Sequence, residues 1–267
     1  MYVTKASGEK EKLNLKKLKK TILSAGASER LANRTIKEVR NKVYSGMKTK
    51  EILSIVLKML KNEPGVAQRY SLKRAIMMLG PTGFPFEKFV ARVLKEYDYE
   101  TRTNVIVKGK CVRQEIDVVA KKGKKKYMIE CKYRNAPGKK SDLKVAMYTY
   151  ARFLDVKHKK FSQPWLVTNT KCTTEAIKYA KGMKLKIISW NYPKDKALEN
   201  ILVRKNLYPI TTIGSLNFDM KRTLIKANIV LVRDLLKHKL HYLMSKTKLS
   251  KKILERLRKE AKQIIET

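Results

Sequence analysis

Asp117 and the tripeptide Glu130-Cys131-Lys132 carry the residue types and the spacing of a metal-dependent phosphodiesterase site. The stretches Glu115–Ala120 and Tyr127–Tyr133 alternate polar and apolar residues, as half-buried strands do. Lys121–Lys126 between them is polar and holds Gly123, which is hairpin-turn chemistry. Side chains two apart share a strand face, so Glu130 and Lys132 point the same way, and a hairpin register can set Asp117 beside Glu130. Two converging carboxylates repel each other and need a cation. Oxygen ligands with open positions suit Mg2+ (or Mn2+), held by Asp117 and Glu130, because such an ion keeps waters and takes a phosphate oxygen. A lysine one step along can neutralise charge that develops on the phosphate.

The acid-x-Lys spacing alone is weak in so lysine-rich a chain. It recurs at Asp142–Lys144, Asp155–Lys157, Asp219–Lys221 and Glu260–Lys262, on stretches that read as helix or loop. Only the copy at Glu130 lies in an apolar strand behind a partner strand with its own acid. The plainer alternative is an edge hairpin whose acids pair with the surrounding lysines.

The elements that position these residues come from residues 84 to 192. Phe86, Phe89, Val90, Val93 and Leu94 make an amphipathic helix. Glu87 opens it, where a carboxylate suits the helix dipole as well as it suits catalysis. Strands are predicted near Thr103–Lys108, Cys111–Ala120 and Lys126–Tyr133, and a helix over Asp142–Leu154 capped by Ser141. A strand Trp165–Thr168, a helix Thr174–Lys181 and a strand Leu185–Trp190 follow. Strand–helix–strand predicts a parallel crossover in a mixed sheet.

Gly80–Pro85 breaks any helix and marks a first boundary; a second lies near Asn191–Pro193 or Tyr208–Pro209. The expected organisation is multidomain α+β: residues 1–80 mostly helical, 84–192 an α/β mixed sheet, 207–267 all-α. In the first segment a polar hairpin, Tyr2–Leu13, precedes helices: one capped by Asn14, then Ser28–Tyr44, Thr49–Lys61 and Val66–Leu79. Lys5 on the strand and Lys17 in the first turn of the capped helix could converge on a phosphate.

Lysine and arginine number 63 against 23 acids, a formal charge of +40 with pI near 10.2. A charge that large speaks to partners. Phosphate neutralisation makes a nucleic acid the natural one. A membrane surface is the other candidate, and a generally lysine-rich background accounts for part of the excess. No stretch approaches the ~20 apolar residues of a spanning helix, and the N-terminus lacks the apolar run of a signal peptide. Cys111, Cys131 and Cys172 are odd in number with no C-x-x-C pair, which speaks against disulfides or zinc and for a reducing, cytoplasmic setting. Cys131 alternates with Glu130 and Lys132 and is expected to face the core. His158, His238 and His241 read as surface residues.

Val3–Gly8, Glu11 and Leu13–Leu18, then Gly46–Ile52 and Val66–Arg74, resemble the spaced anchors of an ATP-cone over about 75 residues. ATP-cones are regulatory ATP/dATP sensors. The resemblance implies that Lys5 and Lys17 meet phosphates and that Glu11, Asn14 and Thr49 line the nucleotide. The family usually has arginine after the strand lysine; here it is Ala6, so one phosphate contact is missing and weaker binding is implied. The plain alternative is a small helical module that has lost its ligand.

The order of elements over 84–192 resembles the restriction-endonuclease-like fold with its PD-(D/E)xK motif, most closely the Mrr type. Glu87, Asp117, Glu130 and Lys132 fall on the helix acid, strand acid and ExK positions, and Leu166–Asn169 with Glu175, Ala176, Tyr179 and Ala180 resembles the Mrr tail. The resemblance implies DNA cleavage with Mg2+. Some relatives place a glutamine on the helix after ExK, but Val145–Tyr148 offers none, and Gln114 is no defensible substitute. Residues 207–267 resemble a degenerate helix-hairpin-helix DNA-binding module, with helices over Ile229–Leu236 and after Ser250. The turn Ser245–Leu249 lacks the usual glycines, and a packing or dimerisation element is an equal alternative. A homo-oligomer would form through the ATP-cone or these helices.

The function these readings converge on is a nucleotide-regulated, Mg2+-dependent DNA endonuclease. Its basic loops, Lys121–Lys126 and Lys157–Lys160, would grip backbone without reading sequence. The rival is a non-catalytic, ATP/dATP-responsive DNA-binding regulator on an endonuclease-like platform. An intact Asp117/Glu130/Lys132 set speaks against it, because a pure binder gains nothing from acids facing phosphate.

Overall fold

The computed structural model describes residues 1–5, 8–63, 65–136 and 138–266. Ala6, the departure from the ATP-cone pattern, lies outside them. The N-terminal hairpin pairs β1 (Tyr2–Thr4) with β2 (Lys10–Lys12), Val3 opposite Glu11. α1 (Leu15–Ser24) starts where Asn14 Oδ1 accepts the Lys17 N–H at 2.8 Å. The Ser28 hydroxyl accepts from the Leu31 N–H at 3.2 Å and opens α2 (Glu29–Lys42). At α3 (Thr49–Leu60) the Glu51 carboxylate reaches back to the Lys48 N–H, 3.1 Å. These elements bury Val3, Ile22, Val39, Val56 and Leu60 in a small core of their own.

One helix was expected over Val66–Leu79; the chain makes two, α4 (Val66–Tyr70) and α5 (Leu72–Met77). The break falls at Ser71, whose hydroxyl donates to the Gln68 carbonyl at 3.0 Å. A serine that bonds its own local backbone offers the chain an alternative to continuing the helix. The break redirects α5. Leu72, Ile76 and Leu79 leave the first core and pack with Phe86 and Phe89 of α6 (Phe84–Lys95) and with residues as distant as Ile264.

The central sheet runs β3 (Glu100–Lys108), β4 (Arg113–Lys122), β5 (Lys125–Lys132), β6 (Gln163–Thr168), β7 (Lys186–Ile188), in that order. The first three strands are antiparallel neighbours; β5–β6 and β6–β7 are parallel, as a mixed sheet requires. α6 covers one face over Val118, Ala120, Ile129 and Cys131. α7 (Leu143–Val156) and α8 (Thr174–Gly182) cover the other over Ile116, Met128 and Leu166. The cap of α7 is Asp142, whose carboxylate accepts the Val145 N–H at 3.2 Å, and not Ser141. Ser141 is fully buried and pairs with Cys172, so the chain is still extended there and the helix begins later.

The remaining helices are α9 (Leu198–Arg204), α10 (Phe218–Lys226), α11 (Val232–Lys237), α12 (Leu240–Thr247) and α13 (Lys251–Ile265). Ile229–Leu231 is extended and not helical as expected, because the Ile210 N–H donates to the Val230 carbonyl (2.8 Å) and Pro209 pairs with Leu231. The turn between α12 and α13 is made without glycine: Lys248 takes the left-handed conformation, φ 58°, and Ser250 caps α13. The last helices share the core of α5 and α6. Arg69 of α4 donates to the Ala25 carbonyl (2.7 Å) and to the Ile264 carbonyl (3.2 Å), which ties the first segment to the last. Among the described residues no helix is long and apolar enough to cross a membrane.

Candidate active site

Asp117 sits where the sheet forks. The β4–β5 ladder runs from Lys122↔Lys125 to Val118↔Ile129, and one residue further the strands part. The Asp117 side chain enters the gap, its Oδ2 accepting the Cys131 N–H at 2.7 Å. On the other side β3 is also distorted. Asn104 lies between Thr103, paired with Val118, and Val105, paired with Ile116, and has φ 54°. Asparagine is among the few residues that tolerate this conformation. The faces exchange here: Val118 and Ala120 pack under α6, whereas Ile116 packs with Met128 and Phe153 under α7.

Glu130 lies between Met128 and Lys132 on the α7 side, and the Arg152 guanidinium of α7 rests on its carboxylate. Glu130 and Arg152 are only 12% and 10% exposed. Arg152 is itself fixed: Nε donates to Gln114 Oε1 at 3.0 Å, and Nη2 to the Glu115 carbonyl. Gln114 in turn donates to Asp155 at 2.9 Å. Glu87 arrives from the opposite face, in the first turn of α6, and reaches the fork through Asn104. Asn104 Nδ2 donates to Glu87 at 2.9 Å and to Glu115 at 3.2 Å.

The Glu87, Asp117 and Glu130 carboxyls of the cluster are all shifted upward in pKa. Burial first, then the Asp117 charge, push Glu130 up to about 7, against the pull of Arg152 and Lys132; Glu87 adds to the rise. Burial also raises Asp117, opposed by the Cys131 N–H and Arg152. Glu87 is raised by burial and by Asp117 and Glu115, opposed by its bond from Asn104. Groups that perturb one another in this way form a cluster of the kind functional sites build. No set of three or more His, Cys, Asp or Glu side chains with metal-holding geometry occurs among the described residues, so a cation here would rest on the Asp117/Glu130 pair. Cys131 is buried with its thiol pushed well up by burial, and all three cysteines are free.

The sequence reading missed Arg152 and Asn104. Arg152 stands on α7, 22 residues from Glu130, and nothing in the local sequence marks it as a partner of Glu130. Asn104 had one usable signal, a left-handed-tolerant residue in the middle of a predicted strand. The expected gripping loops do meet, through Lys126 N–H to Ser162 (3.2 Å) and Lys126 Nζ to the Lys159 carbonyl (3.4 Å). They meet at the start of β5, however, roughly 20 Å from Lys132 at ~3.3 Å per residue. At the Lys132 end the basic side chains are Arg134, Lys139, Lys140 and Lys171, the last three exposed.

In the first segment the Thr4 N–H and hydroxyl bond the Met47 and Gly46 carbonyls (2.9 and 3.0 Å), which brings β1 and Lys5 to the start of α3 and Thr49. Lys5 is paired with Glu11 at 2.8 Å and Glu9 at 3.2 Å, and both raise its pKa, Glu11 most. Asn14 is used as the cap of α1. Lys17 lies near Glu199 of α9, whose pKa burial raises and Lys73 and Lys17 oppose.

Three family models match the chain in succession: an ATP cone domain at residues 1–77, a restriction endonuclease domain of the Mrr type at 80–194, and an AF1548-like C-terminal domain at 208–265. An uncharacterised protein of Archaeoglobus fulgidus is 50% identical over 145 residues, which are 54% of this chain and 82% of that protein. The crystal structure of a protein of unknown function, AF1548, is 44% identical with TM-score 0.63, covering 69% of this chain and 99% of that one. Can2 from Sulfobacillus thermosulfidooxidans, solved with cyclic tetra-adenylate, reaches only 17% identity and TM-score 0.36 over 74% of this chain and 64% of its own, too little to bear on function. The chain belongs to the AF1548-like family, with an ATP-cone, an Mrr-type restriction endonuclease domain and an AF1548-like C-terminal domain in one polypeptide.

Proposed function

We propose that this protein is a metal-dependent deoxyribonuclease that hydrolyses DNA phosphodiesters in the cytoplasm under the control of ATP or dATP. One observation carries the reading: Asp117, Glu130 and Lys132 converge at a fork of the sheet in a restriction-endonuclease domain. The charge of +40 supplies affinity for a polyanion. Two carboxylates, both raised by burial and Glu130 raised further by the Asp117 charge, fit a divalent cation, and one or two carboxylates with waters and phosphate oxygens are the usual Mg2+ set. Asp117 and Glu130 would hold it, with the Cys131 carbonyl. Bound there, such an ion supplies Lewis acidity and a water of lowered pKa. The chain would do the rest. Arg152 holds Glu130, Asn104 holds Glu87, and the Lys132 ammonium would meet charge developing on a phosphate oxygen.

Supercoiled plasmid with Mg2+ or Mn2+, with and without ATP or dATP, tests the whole reading. Nicking by the pure protein that depends on the metal is expected. Plasmid binding without nicking under either metal would establish the non-catalytic regulator instead. Titration calorimetry with each nucleotide tests the sensor, and heat from neither, in folded protein, would leave residues 1–80 a helical module without a ligand.

Metal and pH should be linked with a definite sign. Glu130 is held at about 7 in the folded chain, above its ordinary value of 4.5. The folded state therefore binds more protons between those values, and metal-free stability falls as pH rises through the window from about 4.5 to 7. A cation favours the ionised carboxylate and offsets that loss. Mn2+ should raise Tm at pH 8 and do little at pH 5. An equal rise at both would place the ion away from Glu130.

Tyr133, next to Lys132, carries the expected coupling. Its hydroxyl donates to the Met77 carbonyl at the end of α5 (2.6 Å), and its ring packs against Phe86 with centroids 5.6 Å apart. An effector acts only through a contact that differs between two states. Tyr133→Phe keeps the ring and removes the bond. The nucleotide effect on cleavage should shrink while nucleotide-free cleavage stays within about threefold, the scale of one neutral hydrogen bond. An undiminished nucleotide effect would rule this contact out.

A further inference from the structure

Three arginines of the domain and its C-terminal helices are committed to carboxylates: Arg152 to Glu130, Arg92 to Asp234, Arg233 to Glu96. Arg134 forms no ion pair among the described residues, and its Nε is covered and without a hydrogen-bond partner. Its backbone, by contrast, is held on both sides. Asn169 is fully buried; its Oδ1 accepts the Arg134 N–H at 2.9 Å and its Nδ2 donates to the Arg134 carbonyl at 2.7 Å. The amide of one side chain thus does what the next residue of a paired strand would do, and it carries the β5–β6 pairing two residues past Lys132↔Thr168. Beside Asn169, the Thr168 hydroxyl is held by those of Ser141 and Thr170, each at 3.2 Å.

The side on which Arg134 emerges follows from its neighbours. Cys131 and Tyr133 both pack into the core under α6. Alternation returns Arg134 to the side of Glu130 and Lys132. Two strand residues span about 6.6 Å, close to the reach between successive phosphates of one nucleic-acid strand. Lys171 stands beside the same exit, its carbonyl accepting the Ser141 N–H at 2.9 Å. An arginine that served only solubility would need no fixed backbone.

We propose that Arg134 binds the phosphodiester adjacent to the one that Lys132 meets, and that Asn169 is the residue that positions it. The guanidinium presents several donors in a fixed fork, which suits two oxygens of one phosphate. The inference rests on the nuclease reading for the identity of the neighbouring phosphate, but the contact itself can be detected without cleavage.

The experiment uses the full chain and DNA duplexes in which single phosphates are replaced, one at a time, by neutral methylphosphonates. Wild type, Arg134→Gln, Arg134→Lys and Asn169→Ala are compared, for cleavage with Mg2+ and for affinity with Ca2+. In wild type one methylphosphonate next to the cut should slow cleavage by about 10- to 100-fold, the worth of a charge-assisted contact. Arg134→Gln should lose a similar factor on native DNA and show no further loss at that one position, while its sensitivity elsewhere is unchanged. Arg134→Lys should keep part of the effect. Asn169→Ala should weaken it with wild-type circular dichroism, and if that variant does not fold the Arg134 pair decides alone. Arg134→Gln with the wild-type sensitivity at every position would overturn the proposal. Without cleavage in any arm the nuclease reading fails, yet selective loss of sensitivity at one phosphate in the affinity series would still establish the contact, so the two failures remain distinct.

Discussion

Lys132→Ala is expected to lower plasmid cleavage by about 10²- to 10³-fold, the cost of removing one group aimed at transition-state charge. DNA affinity should stay within about twofold. The asymmetry follows from the charge. Binding would draw on many of the 63 basic residues, and removing one would change counterion release by a single phosphate contact at most. Cleavage would draw on the one ammonium beside Asp117 and Glu130, where its charge already works against the rise in both carboxylates. Lys132 has no ion-pair partner within 4 Å among the described residues, so it is free to meet a phosphate. Gel shift and nicking assays on the same preparation separate the two quantities. Equal loss of both would make Lys132 a binding residue. Unchanged nicking would show a contaminating nuclease.

What was legible in the sequence was local. Strand alternation placed Glu130 and Lys132 on one side, and turn chemistry placed the hairpin between β4 and β5. Helix caps at Asn14, Ser28 and Ser250 stand where side-chain chemistry puts them. The mixed sheet follows from one strand–helix–strand pattern. What was not legible depends on residues far apart in the chain. The fork at Asp117 exists because β4 parts from β5 while Asn104 distorts β3, and no single stretch records that meeting. Arg152 becomes part of the site only when α7 packs across β4 and β5. Ser71 carries a polar side chain like many helix residues, yet its bond to the Gln68 carbonyl ends α4.

The same limit affects how the three segments read. Composition separates them at Gly80–Pro85 and near Tyr208–Pro209, but packing does not. One core runs from Leu72 and Ile76 through Phe89, Ile129 and Cys131 to Leu254 and Ile264. Only the hairpin, α1, α2, α3 and α4 keep a core apart. The last helix of the ATP-cone segment is thus built into the endonuclease-like domain, with the Met77 carbonyl one hydrogen bond from the residue after Lys132.

Asp234→Ala is expected to destabilise the protein by about 3–5 kcal/mol, the scale for breaking a buried pair and leaving its partner charged. Asp234 is 1% exposed and Arg92 of α6 13%. Arg92 Nη2 and Nε meet Asp234 Oδ1 at 2.8 and 3.1 Å, and the other oxygen, Oδ2, accepts the Val230 and Leu231 N–H groups at 3.2 and 2.9 Å. The substitution would therefore strand one guanidinium and two backbone donors in a dry interface. Glu96 bridges Arg92 to Arg233, so part of the charge remains balanced and the lower end of the range applies if that pair tightens. Denaturant unfolding of the full chain reads the loss. Joint replacement, Arg92→Met with Asp234→Leu, should recover much of it, since apolar residues of similar size often substitute for a buried pair. The double variant should still fall short of wild type by the value of the two lost caps. Glu87 stands one and a half turns before Arg92 on the same helix, so the single variant should also slow cleavage beyond what its stability explains. A drop below about 1 kcal/mol would mean that water reaches this pair.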